Sequence, residues 1–138
     1  MRAIDTGQPP ATAPAGPALE SWELAAVGPT WRPPLGEHVV APVDGMLEVH
    51  ADALVFRARE AVDAATSAPL VAVIPVSTVR AIGPLSPGNP GAGEWMPRWQ
   101  RRLRSPGFVV GTEAGAWLFD GPHGPKRAEA LSARFGIA

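Results

Sequence analysis

The sequence has no cysteine and no long apolar run. The missing cysteine excludes disulfides, thiolate metal sites and a catalytic thiol within these 138 residues. No apolar run reaches the roughly 18 residues of a membrane-spanning helix, and Met1–Asp5 lacks the apolar stretch of a secretory signal. We therefore expect a cytoplasmic protein, and the length fits one domain with one modest core.

The sequence also lacks the patterns that carry catalysis or bind metal. His38, His50 and His123 are not spaced as paired metal ligands. The glycine-rich stretch Gly88–Gly93 has no following Lys-Ser/Thr, as a phosphate-binding loop would. No nucleophile–base pair is recognisable. We expect no enzymatic activity, no metal, no cofactor and no small-molecule substrate.

The first 36 residues are interpreted as a proline-rich N-terminal lead. Residues 6–17 contain four prolines, which remove backbone donors and disfavour helix and sheet, so an extended or disordered segment is expected. Leu19, Trp22 and Ala26 then follow helical spacing, and Gly28-Pro29 is a stop signal. The pattern predicts a short helix over residues 18–27 that docks Trp22 onto the main domain.

From residue 37 the apolar residues alternate with a period of two, which indicates strands. Val39 and Val40 begin the first predicted strand, and Pro75 favours an edge strand or a bulge. The turn at Thr112–Gly115 predicts a hairpin with Gly115 at positive φ. The residues predicted to share one core are Leu47, Val49, Leu54, Phe56, Val73 and either Trp117 or Phe119, with Leu131 and Phe135 of a closing helix packed across it.

The end of the chain predicts a helix that starts near Pro125 and stops at Gly136. The expected fold class is therefore α+β: an antiparallel sheet or partly open barrel of about six or seven strands, capped by a C-terminal helix. The predicted domain spans residues 37–138, with a flexible insertion at 84–105.

Residues 45–57 (Gly-Met-Leu-Glu-Val-His-Ala-Asp-Ala-Leu-Val-Phe-Arg), 73–83 (Val-Ile-Pro-Val-Ser-Thr-Val-Arg-Ala-Ile-Gly) and 108–119, with the closing helix, form a recognisable order. This order resembles bacterial pleckstrin-homology-like (PH-like) and GRAM-type domains over about residues 37–136. The resemblance implies a PH-like fold that docks proteins or lipids and has no shared catalytic residues. The loop Ala41–Gly45 carries no Lys or Arg, which argues against specific inositol-phosphate recognition.

The segment 94–105 is the most distinctive candidate for a contact surface. If it is helical from Pro97, Trp99 and Leu103 share one face. One interpretation is a structural cap over the sheet, the second is an anchor to anionic membrane, and the third is a protein-docking surface. The predicted binding residues are Trp95, Arg98, Trp99, Arg101, Arg102 and Arg104.

The leading functional hypothesis is a non-catalytic interaction module that docks a protein partner or forms a homo-oligomer. The alternative is peripheral binding to anionic lipid at the inner face of the membrane through the Trp/Arg segment. Nucleic-acid binding is disfavoured, because the sequence pI is about 6.3 and a nucleic-acid-binding domain is usually basic.

Overall fold

The computed structural model describes residues 3–7, 12–32, 42–84 and 107–137. Within these ranges it contains eight strands, one α-helix and one short 3-10 helix. The strands are β1 (Ala3–Ile4), β2 (Glu20–Val27), β3 (Val43–Val49), β4 (Ala53–Asp63), β5 (Pro69–Pro75), β6 (Val79–Pro84), β7 (Phe108–Thr112) and β8 (Gly115–Asp120). The helices are the 3-10 helix Val76–Thr78 and α1 (Gly124–Phe135).

All of the strands belong to one sheet. Following the pairings gives the order β5-β4-β3-β2-β8-β7-β6, in which every neighbouring pair is antiparallel. The short β1 adds a parallel pairing to the far end of β4. This arrangement confirms the α+β class, the mostly antiparallel sheet and the terminal helix.

As far as residues 3–7, 12–32, 42–84 and 107–137 show, the sheet is not closed: β5 and β6, which end the antiparallel series of strands, are consecutive in the chain. In a flat sheet of this order the edges would lie about 29 Å apart, from six spacings of about 4.8 Å. The 3-10 helix Val76–Thr78 joins them with three residues, which span at most about 14 Å. The sheet must therefore curl enough to bring the end of β5 close to the start of β6. We call the gap between these two strands the seam.

The helix predicted over residues 18–27 was wrong, because this segment is strand β2. It lies in the middle of the sheet, paired with β3 along most of its length and with β8 at its end. Leu24 and Ala26 are buried while Glu23 is exposed, so the period is two. Pairing with β3 along most of β2, and with β8 at its end, satisfies backbone groups of this segment, and this non-local pairing outweighs the helical spacing of Leu19, Trp22 and Ala26.

The described part of the predicted N-terminal lead is built into the same unit. Ile4 is fully buried and Trp31 is buried, and both belong to the main hydrophobic cluster. The backbone N–H of Arg32 donates to the carbonyl oxygen of Asp5 at 2.8 Å. The described residues of this N-terminal part therefore pack into the same hydrophobic core as the strands that follow.

The core agrees with the predicted one except in β5. Leu47, Val49, Leu54, Phe56, Trp117, Phe119 and Leu131 are buried in one cluster, with Phe135 packed against it. Val73 was wrongly expected to point inward: Leu70, Ala72 and Ile74 are the buried residues of β5, and Val73 is half-buried. The pairing of Leu54 with Ile74 sets this orientation, because a shift of one residue exchanges the two faces.

Helix α1 packs against β6 and β7 and confirms the predicted terminal helix. It ends at Gly136, whose φ of 66° is the left-handed conformation that glycine adopts easily. The Arg127 guanidinium lies 5.0 Å from the centroid of the Trp22 ring, and its Nη1 is buried without a hydrogen-bond partner among the described residues. Burial lowers the pKa of Arg127, although nearby Glu20 raises it.

Two expectations concern other parts of the chain. Most of the insertion predicted at residues 84–105, and the strand start predicted at Val39 and Val40, lie outside the described residues. Among the helices that are described, none has the length and apolar character to cross a membrane.

Candidate functional site

A small cavity lies at the seam, where the chain turns from β5 into β6. Its volume is about 160 Å³. Three elements form its walls: the end of β5, the 3-10 helix, and the hairpin of β7 and β8. The lining residues are Val73, Ile74, Pro75, Thr78, Thr112, Glu113, Ala114 and Trp117.

Trp117 gives the cavity a rigid aromatic wall. Its side chain is 2% exposed, and its ring lies 5.4 Å from the Trp31 ring at an interplanar angle of 85°. On the same face of β8, the Phe119 ring stacks at 6.2 Å and 9° from that of Trp117. Because both neighbours are buried, the indole of Trp117 is held in place before anything binds.

The hydroxyl groups around the cavity are already engaged in local hydrogen bonds. Thr78 Oγ1 donates to the carbonyl oxygen of Pro75 at 2.7 Å, and Thr112 Oγ1 donates to that of Gly115 at 2.9 Å. The backbone N–H of Glu113 donates to the carbonyl oxygen of Thr78 at 3.2 Å, which ties the hairpin to the 3-10 helix. The walls therefore present a largely apolar surface to a ligand.

Glu113 is the one titratable residue among the described residues that line the cavity, and it forms an ion pair with Arg80 of β6. Both side chains are well exposed, so the pair contributes little to stability. The two charges of the pair, the ones that the described residues place at the mouth of the cavity, cancel each other. A group that enters the cavity would meet indole, aliphatic and hydrogen-bonded threonine surfaces.

The edge of β5 that faces the seam carries backbone N–H and carbonyl groups that point away from β4. The N–H of Val76 donates to the carbonyl oxygen of Asp52 at 2.9 Å, so the N–H of Val76 points toward the β4 side. In an antiparallel strand the backbone N–H and carbonyl groups of alternate residues point to the same side. Those of Ala72 and Ile74 therefore bond to β4, while those of Val71 and Val73 point away from it. Among the described residues no strand pairs with this second edge of β5.

A second polar cluster lies on the outer face of the sheet. His50 is buried, and its Nε2 lies 3.1 Å from Glu48 Oε1, while Arg57 Nε donates to Glu48 Oε2 at 3.0 Å. Burial acts to raise the pKa of Glu48, but the hydrogen bonds from His50 and Arg57 outweigh it, so this pKa lies below its ordinary value. The three side chains sit around Val55, which is fully buried on this face. This cluster stabilises the sheet surface, and its histidine is satisfied by a neighbour.

No group of three or more histidine or acidic residues within the described ranges is arranged to hold a metal ion. The six binding residues predicted in the segment 94–105, from Trp95 to Arg104, lie outside the described residues, so the structure places none of them. The edge position predicted from Pro75 is confirmed within the described part of the chain, where β5 pairs with β4 alone. The cavity itself was missed, because its walls come from residues 73–78 and 112–117, which are distant in sequence.

No protein-family model matches the chain, and no curated protein matches it. One solved structure with a related fold is the C-terminal domain of an unknown protein from Leishmania infantum, with a TM-score of 0.53 and 15% sequence identity. The match covers 86% of this chain and 83% of that one. At this identity the similarity concerns the fold alone.

Proposed function

We propose that this protein is a non-catalytic, PH-like interaction module that docks a protein partner or a further copy of itself at the seam. The observation that carries the proposal is the exposed backbone edge of β5 beside an apolar cavity. An extended segment of another protein is the ligand class that uses both features. It adds a strand to the edge and places a side chain in the cavity.

The β5 edge supports the proposal through its unused backbone groups. Val71 and Val73 direct N–H donors and carbonyl acceptors away from β4. A docking strand would gain one ladder of hydrogen bonds from these groups without displacing any bond within the described sheet. Affinity would come from the backbone, and selectivity would come from side chains at alternate positions.

The cavity supports the proposal through its size and lining. An enclosed apolar cavity of about 150 Å³ holds a molecule as large as benzene, so the 160 Å³ at the seam suits one apolar side chain. Trp117 provides the flat wall, and Val73 belongs to both the cavity and the free edge. A ligand strand paired with Val73 would therefore bring its side chains next to the cavity.

The non-catalytic part of the proposal is supported by the chemistry of the lining. Glu113 is the titratable group there, and Arg80 already neutralises it. General acid–base catalysis needs a proton donor or acceptor in reach of a bound substrate. The Glu113 carboxylate is instead held in the ion pair with Arg80 at the exposed mouth of the cavity.

The PH-like part of the proposal is supported by the order of the elements. Four antiparallel strands, β2 to β5, are followed by three more, β6 to β8, and by the helix α1 that packs on β6 and β7. The first strand of this series, β2, pairs with the last, β8, and the sheet stays open between β5 and β6. This open meander with a terminal helix is the arrangement that the sequence resemblance implies.

The proposal is tested by panning a random-peptide phage library on the immobilised full chain and titrating the enriched synthetic peptides. We expect Val73→Lys to weaken peptide binding at least about tenfold, because it places a charge beside the apolar cavity. Met46→Lys is the control, since Met46 is an apolar residue of the same sheet, 38% exposed, that lies on β3 away from the cavity. The proposal fails if no peptide is enriched over the bare support, or if the two variants bind equally well.

A further inference from the structure

The strand β5 reads almost the same in both directions. Its sequence is Pro69-Leu-Val-Ala-Val-Ile-Pro75, so Pro69 matches Pro75, Val71 matches Val73, and Ala72 is the centre. Leu70 and Ile74 complete the symmetry as residues of similar size and hydrophobicity. The strand carries no charged residue.

From this symmetry we propose that two copies of the chain dimerise through the free edge of β5, antiparallel about a twofold axis at Ala72. The inference rests on the proposed docking function and names the partner as a second copy. A twofold interface requires a surface that is complementary to itself. The β5 edge meets this requirement in both its backbone and its side chains.

The backbone hydrogen-bonding groups of two antiparallel β5 strands are complementary to each other. In the twofold register, Val71 lies opposite Val73 of the second copy, and each pair exchanges both of its N–H···O bonds. These are the residues whose N–H groups point away from β4. The next pair along the same edge would be Pro69 with Pro75 of the second copy, and neither proline has an N–H to leave unsatisfied. The prolines thus end the ladder on both sides without an orphaned donor.

The side chains fit the same register. Val71 is 39% exposed and Val73 is half-buried, both on the outer face of the sheet. Pairing would put valine opposite valine, and β-branched pairs across strands are stabilising. Because β5 carries no charged side chain, the two β5 strands of the dimer do not repel each other electrostatically. Each chain contributes its single β5 edge, so the pairing closes as a dimer and does not propagate.

Paired charge substitutions test this register in the full chain. The double variant Val71→Lys with Val73→Lys would place like charges opposite each other across the axis. The double variant Val71→Glu with Val73→Lys would instead place a carboxylate opposite an ammonium group, twice. Any general effect of two charges on folding is common to both variants, and circular dichroism and thermal unfolding check that both fold.

Sedimentation equilibrium over a range of concentrations gives the readout. We expect a reversible dimer for the wild type, a dissociation constant at least about tenfold higher for the like-charge variant, and one within about threefold of wild type for the opposite-charge variant. A wild-type chain that stays monomeric up to about 1 mM would overturn the dimer, as would equal weakening in both variants. If the chain stays monomeric and selected peptides still bind, only the dimer is lost. If both fail, the docking function fails as well.

Discussion

Ile74 lies directly opposite Leu54 in the register of β5 and β4, and both side chains are buried. This pairing turns Val71 and Val73 to the outer face and directs their backbone groups to the free edge. The cavity lining, the proposed docking surface and the proposed dimer all depend on this orientation of β5.

The orientation of β5 can be tested by comparing two truncations. Ile74→Ala is expected to lower the free energy of unfolding by about 2–5 kcal/mol, because it opens a cavity in the core. Val73→Ala should cost about 1 kcal/mol or less, because Val73 is only half-buried. Urea unfolding of the two variants measures the difference. A larger loss for Val73→Ala would place β5 in the opposite register.

Two glycines in strands are predicted to respond differently to substitution by alanine, because the space around them differs. A Cβ at Gly45 would overlap the carbonyl oxygen of Arg57 and lie 2.7 Å from the Phe56 ring. Gly45→Ala should therefore lower the free energy of unfolding by about 1–3 kcal/mol. At Gly111 of β7 a Cβ would lie 3.6 Å from the nearest atom, so Gly111→Ala should be neutral or stabilising by about 0.5 kcal/mol. Equal unfolding midpoints in urea would contradict this packing.

The lowered pKa of Glu48 predicts a loss of stability in acid. A carboxyl group whose folded pKa lies below the ordinary 4.5 contributes stability above pH 4.5 and loses it as the pH falls through the folded value. Glu48→Gln should therefore be about 1 kcal/mol less stable than wild type at neutral pH, and the difference should shrink in acid. Glu60→Gln, at an exposed position of β4, is the control. A difference that grows as the pH falls below 4.5 would contradict the hydrogen bonds to His50 and Arg57.

The Trp/Arg segment 94–105 stays a prediction of the sequence. We expect Trp99→Ala combined with Arg102→Glu to weaken partner binding, because tryptophan and arginine are frequent at interface hot spots. Titration of the phage-selected peptides measures this. Vesicles rich in phosphatidylserine should not sediment the wild-type chain at low salt. Sedimentation that rises with anionic lipid and falls with salt would favour membrane binding instead.

The sequence predicted the hairpin partners and the terminal helix because their signals are local. Leu47 and Val49 alternate with polar residues and meet Leu54 and Phe56 across a short turn. Strand β2 has no such neighbour at one edge: Ala26 pairs with Phe119, which is far away in sequence. Its apolar residues fit helical spacing as well as alternation, so the pattern alone could not decide.

The orientation of β5 could not be read from the sequence for a related reason. Alternation identifies a buried face only when the other face is polar. In β5 both faces are apolar, with Ala72 and Ile74 on one and Val71 and Val73 on the other. Only the register against Leu54 separates them. The edge position of β5 was therefore predictable from Pro75 at its end, but the residues that face its outer side were not.

Amide hydrogen exchange along β5 tests the free edge most directly. In a dilute sample we expect the N–H groups of Val71 and Val73 to exchange quickly, while those of Ala72 and Ile74, directed at β4, are protected. Protection at Val71 and Val73 should rise as the chain is concentrated or a selected peptide is added. Strong protection of both valines in the dilute chain alone would show that the edge is already covered, and would contradict docking there.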